Sequence, residues 1–402
     1  MPSAVMSTTQ LELRLASRMS RLGTETAFEV LNRARALEKQ GKEIIHLEIG
    51  EPDFDTPANI IEAAVGALHK GWTHYGPAAG LPELRQTIAD YVSRTRKIPV
   101  ASEEVVVVPG GKPIMFFTIL ALIDEGDEVI YPNPGFPIYE SMIDYVGGRA
   151  VALPLREERD FSVDVKELAS LITDRTKLII LNSPHNPTGG MLTRKDILEI
   201  AEAIGNRNIM ILSDEIYSRL IYDGNEHFSI MSVPGFKERT ILLDGFSKTY
   251  AMTGWRMGYG VMRPDLAAQV ARLNTNSISC TASFTQMAGI EALRGDQSSV
   301  DRMSDEFKRR RDVFVAGLNQ IKGFSCRMPK GAFYTFPNIT KTGWPSKKLA
   351  DALLEQAGVA CLSGTAFGKY GEGYLRFSVA NSLENLNKAL AKIEEWVGKN
   401  LR

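Results

Sequence analysis

Short apolar runs alternate with longer amphipathic stretches through the middle of the chain. The runs are rich in valine, isoleucine and leucine, which is typical of buried strands. They lie at residues 105–109, 128–131, 177–182, 209–214 and 239–246. Helix-like stretches follow the first three runs, over residues 110–123, from about Ile138 and from about Arg194. This order predicts an α/β fold in which a largely parallel sheet is covered by helices on both faces.

The C-terminal part of the chain has a different pattern. A long charged helix is predicted near residues 299–320, and it is followed by G-A-F-Y-T-F, a shorter helix, the runs V-A-C-L and Y-L-R-F-S-V-A, and an amphipathic helix ending near Trp396. This mixture predicts an α+β module, against which a helix near residues 26–40 should pack. The predicted division has three parts: a flexible arm over residues 1–17, a small α+β domain from residues 18–49 and 295–402, and a large domain over residues 50–294.

Composition excludes several classes of protein. The chain has 402 residues, which is more than one core usually supports, so two domains are expected. Its 47 basic and 48 acidic residues give a net charge of −1, which argues against nucleic acid or a membrane surface as a partner. The cysteines Cys280, Cys326 and Cys361 lack the spacing of a metal or disulfide framework, so no metal site is predicted. The N-terminus lacks the apolar core of a signal peptide, which predicts a cytoplasmic protein.

Glycine and polar residues follow the predicted strands, at the edge where open α/β sheets bind ligands. Gly110, Gly111 and Lys112 open a helix, and a helix N-terminus that a ligand can approach closely favours an anion such as phosphate. Asn186 lies in the loop S-P-H-N-P-T-G-G, whose prolines would hold its amide still. Each feature also has a purely structural explanation, as a helix start or a stiff turn.

Asp214 and Lys248 follow two further predicted strands. Asp214 is either a helix cap or a carboxylate that keeps a ring nitrogen protonated. Lys248 stands among small and aromatic residues, and the next cation is Arg256. It is either a surface lysine or an amine kept dry, with a lowered pKa, that can form a Schiff base with a carbonyl compound. Such features after successive strands favour a binding site over a structural protein.

The order of these motifs resembles that of a known family, the class I, fold type I pyridoxal-phosphate-dependent aminotransferases of the bacterial aspartate aminotransferase kind. The similarity extends from about Arg18 to the C-terminus. Its motifs are L-E-I-G-E-P-D-F-D-T-P, H-Y-G-P-A-A-G-L-P-E-L-R, V-P-G-G-K, N-P-G-F-P-I-Y, N-S-P-H-N-P-T-G, S-D-E-I-Y, S-K-T-Y-A-M-T-G-W-R-M-G-Y and G-Y-L-R-F-S-V-A. The resemblance implies a large domain with a mostly parallel seven-stranded sheet between helices and a smaller α+β domain from the N- and C-terminal segments.

The resemblance also implies pyridoxal 5'-phosphate as the cofactor. Lys248 would hold it covalently and act as the proton shuttle. Asp214 would pair with the ring nitrogen, and Tyr217 and Asn186 would hydrogen-bond the phenolic oxygen, with Lys248, Asp214 and Tyr217 forming the catalytic set. Phe136 would stack on the ring, where an aromatic side chain supplies a flat apolar surface.

The family pattern implies further contacts to the phosphate and to the substrate. The phosphate would be held by four positions, namely Gly110, Gly111, the Lys112 backbone and Arg256. Tyr75 would reach the phosphate bound in the neighbouring subunit, which implies a homodimer with shared active sites. Arg376 would bind the substrate α-carboxylate, helped by the Gly50 backbone and by Asn186. Many members have a serine where this chain has Gly245, so either Ser247 replaces that phosphate ligand or the backbone suffices.

The implied reaction moves an amino group from an L-amino acid to a 2-oxo acid, 2-oxoglutarate or oxaloacetate, with ping-pong kinetics. The donor stays open at this point. Lys112, Thr24 and Thr26 would favour an acidic amino acid, whereas Glu25 would repel one. The aromatic residues expected near the site favour aromatic donors; they are Tyr75, Phe136, Phe333 and Tyr334.

Two other functions remain open from the sequence. A lyase of the same fold would use the same cofactor for β-elimination or ring closure. An aminotransferase-like ligand-sensing module is the non-enzyme alternative, although no helix-turn-helix pattern precedes the region of resemblance.

Overall fold

The computed structural model describes residues 12–400. Its strands are β1 (Ile45–His46), β2 (Val105–Val108), β3 (Glu128–Asn133), β4 (Arg149–Pro154), β5 (Thr176–Asn182), β6 (Met210–Asp214), β7 (Thr240–Gly245), β8 (Gly258–Val261), β9 (Tyr334–Thr335), β10 (Val359–Ala360), β11 (Leu362–Ser363) and β12 (Leu375–Ser378). Its α-helices are α1 (Thr26–Glu38), α2 (Ala58–His69), α3 (Pro82–Arg96), α4 (Lys112–Leu122), α5 (Ile138–Val146), α6 (Val165–Leu171), α7 (Arg194–Ile204), α8 (Pro264–Ser277), α9 (Ser283–Arg294), α10 (Ser298–Leu318), α11 (Ser346–Ala352) and α12 (Leu383–Asn400).

The large sheet has seven strands in the order β2-β8-β7-β6-β5-β3-β4. The strands from β7 through β4 in this order run parallel to one another, and β8 is antiparallel to both of its neighbours. Successive residues of β7 enter opposite cores, since Leu242 packs with residues of α2, α3 and α9 and Leu243 with residues of α4, α5 and α8. The predicted α/β fold with a mostly parallel seven-stranded sheet between helices is therefore confirmed.

The N- and C-terminal segments form smaller sheets. Strand β1 pairs in parallel with β10, and β12 lies between β11 and β9 in antiparallel order. Helices α10 and α12 supply much of the surrounding core. Helix α1 packs here as expected, with Arg33 pairing with Asp351 at 2.6 Å and with Glu355 at 2.7 Å. The exact division of the chain into domains stays a prediction.

Two strands of the large sheet were absent from the sequence-based prediction. Strand β4 lies at the sheet edge and is only partly buried, and its run A-V-A-L contains alanine, which is depleted in strands. Strand β8 is central, but it reads G-Y-G-V, and glycine is usually depleted in strands. A Cβ at Gly258 would lie 2.6 Å from the Gly111 amide nitrogen. Close backbone approach therefore explains a glycine within a strand here.

The N-terminal segment is described only in part. Of the predicted arm, residues 1–11 lie outside the described residues, and a 3₁₀ turn begins at Ser17. Among the helices of residues 12–400, none has the length and apolar character needed to cross a membrane. The same range contains no group of three or more metal-ligating side chains.

Candidate active site

A cavity of about 880 Å³ opens at the carboxyl ends of β5, β6 and β7. Helix α1, the segment after β1, and residues of β9 and β12 line its other side. Most of the predicted site residues line this one cavity: Gly50, Gly111, Lys112, Phe136, Asn186, Asp214, Tyr217, Ser247, Lys248, Arg256 and Arg376. The strand-end argument thus selected side chains that meet in space.

Lys248 lies in the turn that follows β7, where the strand end directs it into the cavity. Its Nζ donates a hydrogen bond to the Gly50 carbonyl oxygen at 2.5 Å and lies 5.9 Å from the centroid of the Phe333 ring. Burial lowers the pKa of the ammonium to about 8. The amine is therefore much easier to deprotonate than that of an exposed lysine.

Asp214 ends β6 and is almost fully buried. Its Oδ2 accepts a hydrogen bond from the Tyr139 hydroxyl at 2.5 Å, and its Oδ1 accepts one from the Ile216 amide at 3.3 Å. Burial raises the pKa of the carboxyl to about 6, although these hydrogen bonds oppose the shift. A cationic ring nitrogen would supply the counter-charge that these neutral donors do not. Sequence reasoning missed Tyr139, which lies in the first turn of α5 at the end of the motif N-P-G-F-P-I-Y.

Arg376 lies on β12 and its side chain is buried, at 3% exposure. Its Nη1 donates to the Asn186 Oδ1 at 3.2 Å and its Nη2 donates to the Glu48 carbonyl oxygen, both of them neutral acceptors. Its Nε is buried without a partner among the described residues. Burial lowers the pKa of the guanidinium. A buried cation with an unused donor that lines a cavity is suited to bind an anion such as a carboxylate.

The Tyr217 hydroxyl contacts the hydroxyl of Tyr334, with 2.7 Å between the oxygens. Burial raises the pKa of Tyr217 well above its usual value, so the phenol stays protonated and can donate a hydrogen bond. Asn186 is positioned by its own loop, because its backbone amide donates to Asn182 Oδ1 at 3.0 Å. Tyr217 and Asn186 therefore present a hydroxyl and an amide to the cavity.

Backbone conformation shapes the opposite end of the cavity. Gly110 has a φ of +83°, and a Cβ there would collide with the Arg256 guanidinium. Gly111 precedes α4, so the N-terminus of this helix and Arg256 face the same space. Arg256 is itself held by a 2.8 Å hydrogen bond from Nη1 to the Thr253 carbonyl oxygen. This arrangement is a cradle for an anion.

The glycine at position 245 has a local steric explanation. A Cβ at Gly245 would lie 3.0 Å from Gly258 Cα and 3.2 Å from Ile216 Cδ1. A serine would therefore require the adjacent strand β8 to move. Ser247, two residues later, is buried and lines the cavity.

Lys112 and Glu25 form an ion pair at the cavity wall. The Lys112 Nζ also lies 5.5 Å from the Phe136 ring centroid. Thr24 and Thr26, which the sequence offered as polar contacts to a substrate, are not among the cavity-lining residues of the described chain. The cation predicted for an acidic substrate is thus already paired with an acid.

Apart from Thr24 and Thr26, three predicted residues do not line the cavity, namely Gly110, Tyr75 and Phe333. Gly110 is behind Arg256, which it contacts. Tyr75 is 90% exposed and does not line the cavity of its own chain. A contribution from Tyr75 to an active site therefore requires a second subunit.

Comparisons with known proteins agree with this geometry. Residues 42–393 match the family model "Aminotransferase class I and II". An aspartate aminotransferase of Pyrococcus horikoshii is 42% identical over 95% of this chain and 96% of its own length. Aromatic-amino-acid aminotransferase 2 of Thermococcus litoralis is 39% identical over 88% and 91%. The solved structure of Thermus thermophilus aspartate aminotransferase with maleate has a TM-score of 0.92 and 35% identity, covering 96% of this chain and all of that one.

The fold and the cavity define an α/β protein with a candidate active site at the carboxyl ends of the sheet strands. The chain belongs to the class I and II aminotransferases of fold type I, enzymes that move an amino group from an L-amino acid to a 2-oxo acid. The family resemblance and the enzyme prediction are confirmed. The relatives described above are named as aminotransferases, which favours transfer over the lyase and ligand-sensing alternatives.

Proposed function

We propose that this chain is a pyridoxal-5'-phosphate-dependent aminotransferase whose cavity holds the cofactor and the substrate together. One observation carries the proposal: the buried charges of Asp214 and Arg376 and the partly buried amine of Lys248 line a single cavity, and their hydrogen-bond partners are neutral groups. Buried charges are normally paired. The cofactor and the substrate carboxylate would supply the missing partners.

The residues present fit this cofactor. The cradle of Gly111 and Arg256 would hold the phosphate, and Asp214 would face the ring nitrogen. Phe136 would cover one face of the ring, and Tyr217 with Asn186 would meet the phenolic oxygen. Ser247 would add a phosphate contact that Gly245 cannot provide. The further phosphate ligands would be Gly110 and the Lys112 backbone.

The chain's own residues carry the proton and hold the substrate. Pyridoxal phosphate, when bound, supplies an electron sink for charge left on the substrate Cα. Lys248 Nζ would hold the cofactor covalently, and as a free amine it would take and return the Cα proton. A pKa of about 8 suits this task near neutral pH. Positioned proton transfer of the kind proposed for Lys248 contributes roughly 10²- to 10⁴-fold in rate. Arg376 would fix the α-carboxylate.

We propose glutamate and 2-oxoglutarate as one substrate pair, with oxaloacetate as the alternative acceptor. Arg376 would bind the α-carboxylate of every substrate, whereas Lys112 is the cation available for a distal carboxylate. Its pairing with Glu25 means that an acidic substrate must displace or share this ion pair. The neighbouring aromatic rings of Phe136 and Tyr334 allow aromatic donors as well. Relatives with both kinds of name, aspartate and aromatic, agree with this breadth.

We also propose that the enzyme is a homodimer with shared sites. Helix α2 exposes Ile61, Val65 and Leu68, which lie on one face of the helix, and Trp72 and Tyr75 follow. An apolar surface next to a largely exposed tyrosine fits a subunit contact. Tyr75 would then reach the phosphate site of the second copy. A cytoplasmic location stays a prediction.

The visible spectrum of the protein with pyridoxal phosphate tests the proposal. We expect an absorption band that bleaches on addition of glutamate and returns on addition of 2-oxoglutarate, and a panel of amino acids would name the preferred donors. If no band forms, the cofactor assignment is wrong. If amino acids bleach the band but no 2-oxo acid restores it, transfer by this mechanism is contradicted.

A further inference from the structure

Tyr334 contacts both halves of the proposed site. It lies on β9, at 2% exposure, and its hydroxyl is 2.7 Å from that of Tyr217. The Arg376 guanidinium carbon lies 4.5 Å from the centroid of its ring. Tyr334 thus touches one residue at the cofactor end of the cavity and the residue at the carboxylate end.

We propose that Tyr334 is a positioning residue for transamination: its ring holds the Arg376 guanidinium in place, and its hydroxyl orients that of Tyr217. The inference rests on the proposed function, because it assigns Tyr334 to the carboxylate and cofactor contacts given above. It extends that function by linking the two contacts through one side chain.

The ring contributes because Arg376 has few other fixed partners. A guanidinium over an aromatic face is attracted to it, and the attraction is larger where both groups are desolvated. The centroid of the Phe367 ring lies 4.9 Å from the Arg376 guanidinium carbon, which adds a second aromatic contact. Two aromatic rings and two neutral oxygens therefore hold Arg376, while its Nε remains without a partner among the described residues. This arrangement fixes the cation without neutralising it.

The contact between the two hydroxyls restricts the directions in which the Tyr217 hydrogen can point. Either oxygen can be the donor in the Tyr217–Tyr334 contact. If Tyr334 donates, the Tyr217 hydrogen is free to point at another acceptor in the cavity, and a hydroxyl that accepts one hydrogen bond donates more strongly. Burial raises the pKa values of both phenols, so both stay protonated and the pair persists at neutral pH.

Gly50, which has no side chain, leaves room for the Tyr334 hydroxyl. A Cβ at Gly50 would overlap the Tyr334 hydroxyl oxygen, and would lie 3.2 Å from the ring carbon Cε1. The Gly50 carbonyl is the acceptor for Lys248 Nζ. The absence of a side chain at this position allows Tyr334 and Lys248 to approach the same peptide.

Two substitutions separate the ring from the hydroxyl. Tyr334→Phe keeps the ring, so the Kd for maleate, a dicarboxylate that carries no amino group, should stay within about twofold. Its kcat should fall roughly two- to tenfold, the factor that one neutral hydrogen bond represents. Tyr334→Leu removes both, and the Kd for maleate should rise roughly three- to thirtyfold, the range expected for a desolvated cation–π contact. Calorimetry gives the Kd with and without pyridoxal phosphate.

Tyr374→Phe is the matched control. Tyr374 is stacked on Phe336 and hydrogen-bonded to Glu157 at 3.1 Å, and it does not line the cavity. This variant should change neither the Kd for maleate nor kcat. The proposal is overturned if Tyr334→Leu binds maleate as tightly as the wild type, or if Tyr334→Phe keeps its full kcat.

Failure of the proposed function gives a different result. If the wild-type protein never develops a visible band with pyridoxal phosphate, the cofactor assignment fails. The Kd for maleate of the cofactor-free variants then decides alone whether the Tyr334 ring holds Arg376. Tyr334→Phe is the more conservative change, and it still tests the hydroxyl if Tyr334→Leu does not fold.

Discussion

Two groups of buried charges lie close together in this enzyme, and they are compensated differently. The first group is a network formed by Arg96, Glu215, Asp244 and His227. Arg96 donates to Glu215 at 2.9 Å and to Asp244 at 3.1 Å, and His227 contacts Glu215 at 2.8 Å. In the cavity, by contrast, Arg376 has only neutral partners. The network charges pair with one another, although burial still raises the pKa of Asp244 to about 6, whereas the cavity charges have neutral partners.

Adjacent residues of the chain show the same difference. Asp214 and Glu215 lie next to each other at the end of β6, and Asp214 lines the cavity while Glu215 enters the network. Burial raises the pKa of Asp214 to about 6. Burial acts on Glu215 in the same direction, but His227 and Arg96 hold its pKa below the usual value. Burial alone therefore does not distinguish a structural charge from a functional one; the partners do.

The largest effect on folding should come from breaking the network. Arg96→Ala leaves Asp244 buried without its cation and Glu215 without the Arg96 guanidinium, and removing one partner of a buried ion pair destabilises a protein by about 3–5 kcal/mol. We expect a loss of this size in the free energy of unfolding, measured by urea denaturation. A loss below 1 kcal/mol, on the order of that for a surface pair, would contradict the compensated network.

Arg376→Ala should weaken substrate binding more than it lowers stability, which is the opposite of the result expected for Arg96→Ala. No carboxylate loses its partner in this variant, so its stability loss should be less than half that of Arg96→Ala in the same denaturation experiment. Amino acid binding should weaken by about 2–5 kcal/mol, because a desolvated charge contact with the substrate is lost. The KM values of the two variants, where both fold, make the comparison direct. Equal substrate affinity in Arg376→Ala and wild type would remove Arg376 from the site.

Neutralising Asp214 and neutralising Glu215 should change the stability of the folded protein in opposite directions. The pKa of Asp214 in the folded protein lies above its unfolded value, so its ionisation disfavours folding increasingly as the pH rises through about 6. Asp214→Asn should therefore stabilise the cofactor-free protein at pH 7.5, by about 1–3 kcal/mol. Glu215→Gln should destabilise it, since the pKa of Glu215 is lowered. Thermal unfolding of both variants checks the sign, and two shifts in the same direction would refute the distinction.

The sequence predicted the positions of the strand-end residues well. Asp214, Lys248 and Asn186 follow apolar runs, and parallel strands bring their carboxyl ends to one edge. The contacts of Tyr139 with Asp214 and of Tyr334 with Tyr217 were missed. The latter pair is 117 positions apart, and no periodic pattern reports which distant side chains meet. Strand β8 was missed because close packing against Gly111 requires glycines where a strand pattern usually has β-branched residues.

The pH dependence of covalent pyridoxal phosphate uptake by the cofactor-free protein tests the central claim most directly. The pKa of Lys248 is lowered to about 8, so half of its amine should be in the reactive, deprotonated form at that pH. We predict that the uptake rate, followed by visible absorbance, rises with pH with a midpoint near pH 8 and levels off about one pH unit higher. Lys248→Ala should form no such band, while Lys330→Ala, which removes an ammonium paired with Asp160, should behave as wild type. A rate that keeps rising through about pH 10, as for an exposed lysine, or a band that persists in Lys248→Ala, would contradict the account.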